Sequence, residues 1–185
     1  MEMSRHAATY EAGGEGALLG AAAGELLVSG TRGAYGFGVQ QMIATAYHLM
    51  RGHSVDAEAF AASLLEFAYP HDGRSSVYRS PDPWFVAFLG EPGRGPATPM
   101  PFRNAGSAIR AVPVGVWFRK APDALVTAAT KIAMATHTRP ESAVTSCVIA
   151  GAVAAAGYGQ TGRDFVIGAM ETAAQAERYI DRATA

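Results

Sequence analysis

The sequence predicts an all-α protein. Two observations carry that expectation: apolar positions recur at helical spacing behind recognisable start signals, and alternating strand-like runs are nearly absent. A third concerns composition. Several of the apolar segments are built from Ala and Gly, which lets neighbouring helices approach closely.

In chain order, "GALLGAAAGELL", Gly16 to Leu27, is small and apolar on most sides and suits a central helix. "QQMIATAYHLM" follows. In "SVDAEAFAASLLEFA", Ser54 is placed to cap a third helix, and Asp56 and Glu58 lie near the positive end of its dipole. "APDALVTAATKIAMATH" carries Pro122 and Asp123 in its first turn, and "RPESAVTSCVIAGAVAAAG" repeats the device with Pro140 and Glu141. "GRDFVIGAMETAAQAERYI" reads as a closing amphipathic helix. "AVPVGVWF" is the one strand-like run, although its small-residue lead-in "NAGSAIR" can equally start a helix.

The organisation expected is a single domain over residues 1–185. Helices fill 13–69, a Pro/Gly/Arg-rich loop region fills 70–103, and a second helical group fills 104–185. Fifteen basic residues against sixteen acidic give a formal net charge of −1, so no global field recruits nucleic acid or an anionic membrane. Cys147, the lone cysteine, sits in the apolar run "SCVIAGAV" and reads as a small core residue of a reducing compartment. The N-terminal "MEMSRHAATYEAGGEG" lacks the apolar core of a signal peptide. Ser142 to Gly162 is interrupted by Ser, Thr, Gly, Tyr and Gln and reads as a buried helix rather than a membrane span. The expectation is a cytoplasmic protein.

Candidate chemistry lies where polar groups interrupt these helices. "FRNAGSAIRAVPVG" offers Arg103, Asn104, Ser107 and Arg110 among small residues, an arrangement suited to an anion. The alternative is a surface loop followed by a helix cap. His137 in "ATHTRPE" stands between two helices, as a base or as a cap favouring the negative dipole end. "PHDGRSSVYRSPDPW" adds His71, Asp72, Arg74, Tyr78 and Arg79 on a loop.

"GALLGAAAGELL", "NAGSAIRAVPVGVWF" and "ATHTRPESAVTSCVIAGAVAAA", in this order and separation, resemble the ADP-ribosylglycohydrolase family over residues 14 to 158. The resemblance implies a compact multi-helix orthogonal bundle like the N-terminal part of that fold, with a cleft that binds two magnesium ions in the family. It implies a Thr-Asp-Asp run before a Gln-Met pair at the second helix. Aligned on Gln41 and Met42, this sequence has Phe37, Gly38 and Val39 there, side chains that offer magnesium no oxygen. The Gly-Asp that the resemblance implies in the first helix is Gly24-Glu25. The remaining acidic ligands of the family come from a C-terminal portion, and the acids after Glu141 are Asp164, Glu171, Glu177 and Asp181, spread along one helix. The expectation is therefore a truncated member with no metal and no cofactor, whose uncovered faces meet a second protein subunit or a second copy.

For such a cleft the expected ligand is a small anionic molecule. Arg32, Tyr35, Gln40, Gln41, Arg74, Arg79, Arg103, Asn104, Ser107 and Arg110 are the candidate binding residues, with Glu25, Asp56 and His137 for proton transfer. That inventory suits displacement of sulfate by an internal amine, and is similar to what the aziridine-forming protein pairs of azinomycin-type antibiotic pathways require. Two other expectations stand beside it: a degenerate family member that binds ADP-ribose or a nucleotide without cleaving it, and a structural subunit of a larger enzyme.

Overall fold

The computed structural model describes residues 14–25, 27, 36–52, 55–69, 78, 80–90, 99–101 and 106–184. Every regular element among them is a helix: α1 (14–25), α2 (Phe37–Met50), α3 (Ala57–Ala68), α4 (Pro83–Leu89), α5 (Gly106–Trp117), α6 (Pro122–Met134), α7 (Pro140–Gly157) and α8 (Gly162–Thr184). One isolated parallel bridge pairs Met100 with His137. The all-α expectation holds.

Local chemistry sets the helix starts. Pro122 and Pro140 occupy the first turns of α6 and α7, where a missing N–H costs nothing, with Asp123 and Glu141 behind them at the positive dipole end. The start of α3 differs from expectation. Its cap is Asp56, whose carboxylate accepts from Ala59 N at 2.8 Å, and Ser54 lies outside the described residues. The strand-like "AVPVGVWF" is helical, part of α5 with Pro113 in its interior; Ala111, Val112 and Val114 are buried there against neighbouring helices. The loop-rich middle also contains a helix the sequence reading lacked. α4 starts at Pro83, ends at Gly90 with φ of 64°, and buries Phe85, Phe88 and Leu89.

Helix α7 is the hub. It packs on α5, α6 and α8, while α5 also meets α2 and α6, and α3 bridges α2, α4 and α6. Its inward face, Ala143, Cys147, Ala150 and Ala154, is small, so three helices can crowd onto it. Cys147 sits fully buried between Thr130 Oγ1 at 3.5 Å and the Val126 carbonyl at 3.6 Å, and burial raises its pKa, which keeps it a thiol and a core residue. Among the described helices α7 is the one long and apolar enough to cross a membrane, but its place at the centre of this packing makes it a core helix. Ala17, Leu18, Ala21 and Ala22 of α1 lie against Val39 and Met42 of α2 and Val112 of α5.

Helices α5 and α7 approach closely at Gly115. A Cβ there would stand 2.8 Å from Val153 Cβ and press on the Ala150 carbonyl, so glycine is needed for close packing. Gly20 in α1 has open space around it. Gly115→Ala is expected to lower the unfolding free energy by about 1–3 kcal/mol, whereas Gly20→Ala should raise it by about 0.5–1 kcal/mol through backbone entropy. Urea denaturation of the two variants beside the parent checks both signs.

Candidate functional site

The entrance of α2 has no acid in its first turn, and its N-cap residue Gly36 makes no side-chain cap. A carboxylate is supplied from a distance. Glu25, at the end of α1, accepts from Gly38 N at 2.7 Å through Oε1 and from Val39 N at 2.9 Å through Oε2. Two orphan donors of the helix and its positive dipole end are satisfied by one side chain. The glycines follow from this. A Cβ at Gly36 or at Gly38 would lie 2.8 Å from Glu25 Oε1, so the approach of the carboxylate requires both positions to stay bare.

Phe37, in the same turn, packs its ring against Phe85 with centroids 4.8 Å apart and edge-on to Tyr78 at 5.8 Å. In the alignment on Gln41 and Met42, Phe37 stands where the resemblance implies the threonine, and Gly38 and Val39 stand where it implies the two aspartates. Magnesium requires several hard oxygen ligands in near-octahedral array. Here both Glu25 oxygens accept backbone N–H groups, Phe37, Gly38 and Val39 present no oxygen, and no group of three or more His, Cys, Asp or Glu gathers among the described residues. These residues do not fit a magnesium pair.

A different charge lies deeper in the bundle. Arg110 on α5 is fully buried, and its guanidinium donates from Nη2 to Thr136 Oγ1 and lies over the Phe60 ring, 5.7 Å from its centroid. Among the described residues Nε and Nη1 have no partner, and no carboxylate pairs with the group. Burial pushes the Arg110 pKa down to about 9, with nearby Tyr78 opposing the shift, and raises that of the Tyr78 hydroxyl, which Arg110 opposes. At neutral pH this is a buried cation with no counter-charge among the described residues.

Thr136 links Arg110 to His137. The hydroxyl that accepts from Arg110 lies 2.7 Å from His137 Nδ1 and donates its one hydrogen to the Ala133 carbonyl at 3.4 Å. The fully buried His137 lies beside Trp84, ring centroids 5.1 Å apart. Burial first and then the Arg110 charge lower its pKa to about 4, against a raising hydrogen bond with Ala133. The imidazole is neutral at pH 7, which corrects the reading of His137 as a cationic cap at a dipole end. One turn before Arg110, Ser107 Oγ donates to the Ser142 carbonyl at 3.2 Å, tying α5 to α7.

The structure therefore joins Arg110 and His137 through Thr136, and sets Glu25, Gln40 and Gln41 at the first turns of α2. Gln40 and Gln41 are buried, and Gln41 Oε1 has no partner among the described residues. Asp56 has the structural task of capping α3. Arg32, Tyr35, Arg74, Arg79, Arg103 and Asn104, with His71 and Asp72, lie outside the described residues. Sequence reasoning missed His48, whose Nδ1 is 2.7 Å from Ser63 Oγ in the interior. Its signal was present: Gln41, Thr45 and His48 recur at i, i+4 and i+7, a polar stripe on the buried face of α2.

The histidine makes stability depend on pH. Unfolded, its imidazole takes a proton near pH 6.5; folded, only near pH 4. Unfolding thus binds a proton between these values, so the contribution is complete above pH 6.5 and is lost as pH falls toward 4, by up to about 3 kcal/mol. Thermal unfolding across pH 4–7 should show this decline in the parent and a flatter profile in His137→Gln. Glu25→Gln should cost about 0.5–2 kcal/mol, the value of a helix cap, read from the same melts at pH 7.

Comparison with known proteins agrees with the all-α architecture and the three motifs. A family model described as ADP-ribosylglycohydrolase matches residues 6–185. No curated protein and no solved structure matches the chain. With nearly its whole length covered, the chain belongs to the ADP-ribosylglycohydrolase family.

Proposed function

We propose that this family member recognises a small molecule through its anionic group, at Arg110, without magnesium chemistry. The observation that carries the reading is the buried guanidinium with two nitrogens unpartnered among the described residues. Buried polar groups are ordinarily satisfied, and a buried charge without a counter-charge costs several kcal/mol. A phosphate, sulfate or carboxylate supplied by a ligand would neutralise it and accept from Nε and Nη1. Thr136 holds the guanidinium from the other side, and neutral His137 adds no repulsion to an anion and no second positive charge.

The geometry supports recognition over bond cleavage. Displacement of sulfate by an amine, the finer reading of the sequence, needs a carboxylate to take the ammonium proton. Glu25 is engaged at the α2 N-terminus and Asp56 at that of α3. Within the family, the ligand class this favours is ADP-ribose or a nucleotide, bound by its phosphoryl charge.

Arg110→Met separates a functional guanidinium from a structural one. Calorimetry with ADP-ribose, and with sulfate as the smaller anion, is expected to show saturable binding that EDTA leaves unchanged and that Arg110→Met abolishes. The same substitution is expected to stabilise the unliganded protein by about 1–4 kcal/mol, because methionine has no charge to desolvate. A variant that binds as the parent does, or a parent that gives no heat with either ligand, would overturn the proposal.

A further inference from the structure

A second charged cleft lies between the start of α6 and the last turns of α8, with a volume of about 360 Å³. Arg178 and Arg182 of α8 line one wall with Gln175, and Asp123 and Thr127 of α6 line the other. That volume is within the usual range of small-molecule sites. Four residues apart, the two arginines share one face of α8, where like charges disfavour each other. Helices normally relieve this with an acid on the same face. Glu177 is about a quarter-turn from Arg178, and Asp181, three residues beyond Arg178 at neighbour spacing, forms no ion pair with it among the described residues.

Among the described residues neither guanidinium forms an ion pair. Arg182 spends Nε on the Arg178 carbonyl at 3.0 Å, and Asp123, across the cleft, pairs with neither. Asp123 instead sits in the first turn of α6, where the helix dipole favours its charge. The cleft is therefore bipolar. Two unneutralised cations stand at one wall and a carboxylate at the other, with the Thr127 and Gln175 side chains offering neutral hydrogen-bonding groups on the two walls.

We propose that this cleft is a binding site for a phosphorylated polyol or sugar, with the phosphoryl group on Arg178 and Arg182 and a ligand hydroxyl donating to Asp123. Planar guanidiniums one turn apart can both contact one phosphoryl group, and the doubly charged group removes the repulsion between them. The hydroxyl satisfies the carboxylate without a second positive charge. The site is separate from Arg110. That residue contacts Thr136, just past the far end of α6, about 20 Å from Asp123 at 1.5 Å per residue.

Ribose 5-phosphate and inorganic phosphate are the probes, followed by heteronuclear NMR of the full chain. Ribose 5-phosphate should shift the amides of residues 175–182 saturably, and the exposed double substitution Arg178→Gln/Arg182→Gln should weaken binding at least about tenfold while leaving the rest of the spectrum in place. Asp123→Asn should weaken ribose 5-phosphate and leave inorganic phosphate unchanged. Arg110→Met should leave all these shifts intact, so the outcome here is independent of the reading at Arg110. No saturable shift on α8, or equal affinity in the double variant, overturns the site; unchanged ribose 5-phosphate affinity in Asp123→Asn overturns the hydroxyl contact.

Discussion

The architecture depends on how closely α7 lets its neighbours approach. Ala143, Cys147, Ala150 and Ala154 form a face without bulk, and Gly115 lets α5 come against it. Dense packing of this kind has few voids and little freedom to relax. Groups carried on the facing helices are thereby drawn into the interior whatever their polarity. Ser107, Arg110, Ser142 and Ser146 on α5 and α7, with Thr136 and His137 between α6 and α7, are all buried for that reason.

Most of these polar groups resolve their burial locally. Ser107 and Ser146 both donate to the Ser142 carbonyl, at 3.2 and 2.9 Å, and Thr136 mediates between Arg110 and His137. Arg110 does not, and the imbalance is expensive in a low dielectric. A methionine at this position would be held at less cost, having no charge to desolvate. Retaining an arginine instead is the pattern expected where stability is exchanged for recognition.

Legibility in the sequence followed the range of the interaction involved. Pro122 with Asp123 and Pro140 with Glu141 mark helix starts because proline geometry and dipole charge act within one turn, and both starts fall where read. The third helix was read with Ser54 as cap, yet Asp56 does the work, since both residue types cap and only the backbone decides between them. Helix α4 escaped notice because seven residues give too little periodicity to stand out among prolines. "AVPVGVWF" looked strand-like through its β-branched residues, a preference that tertiary packing on α7 overrode. Arg110 and His137 were legible as candidates. That Thr136 joins them, and that Glu25 caps a helix starting twelve residues later, required the fold.

The α2 entrance and the Arg110 centre have a common electrostatic logic. The family resemblance implies divalent cations held by carboxylates at the second helix, a design that supplies mobile positive charge to an anionic substrate and a Lewis acid to activate water. In this chain the first turn of α2 is occupied by a core phenylalanine and a carboxylate engaged with backbone N–H groups. A buried positive charge in this chain is the fixed guanidinium of Arg110. A guanidinium neutralises an oxyanion and orients it, but has no open coordination position and does not lower the pKa of a bound water. The proposed recognition role rests on that difference, since a fixed guanidinium suits binding an oxyanion and does not activate a water.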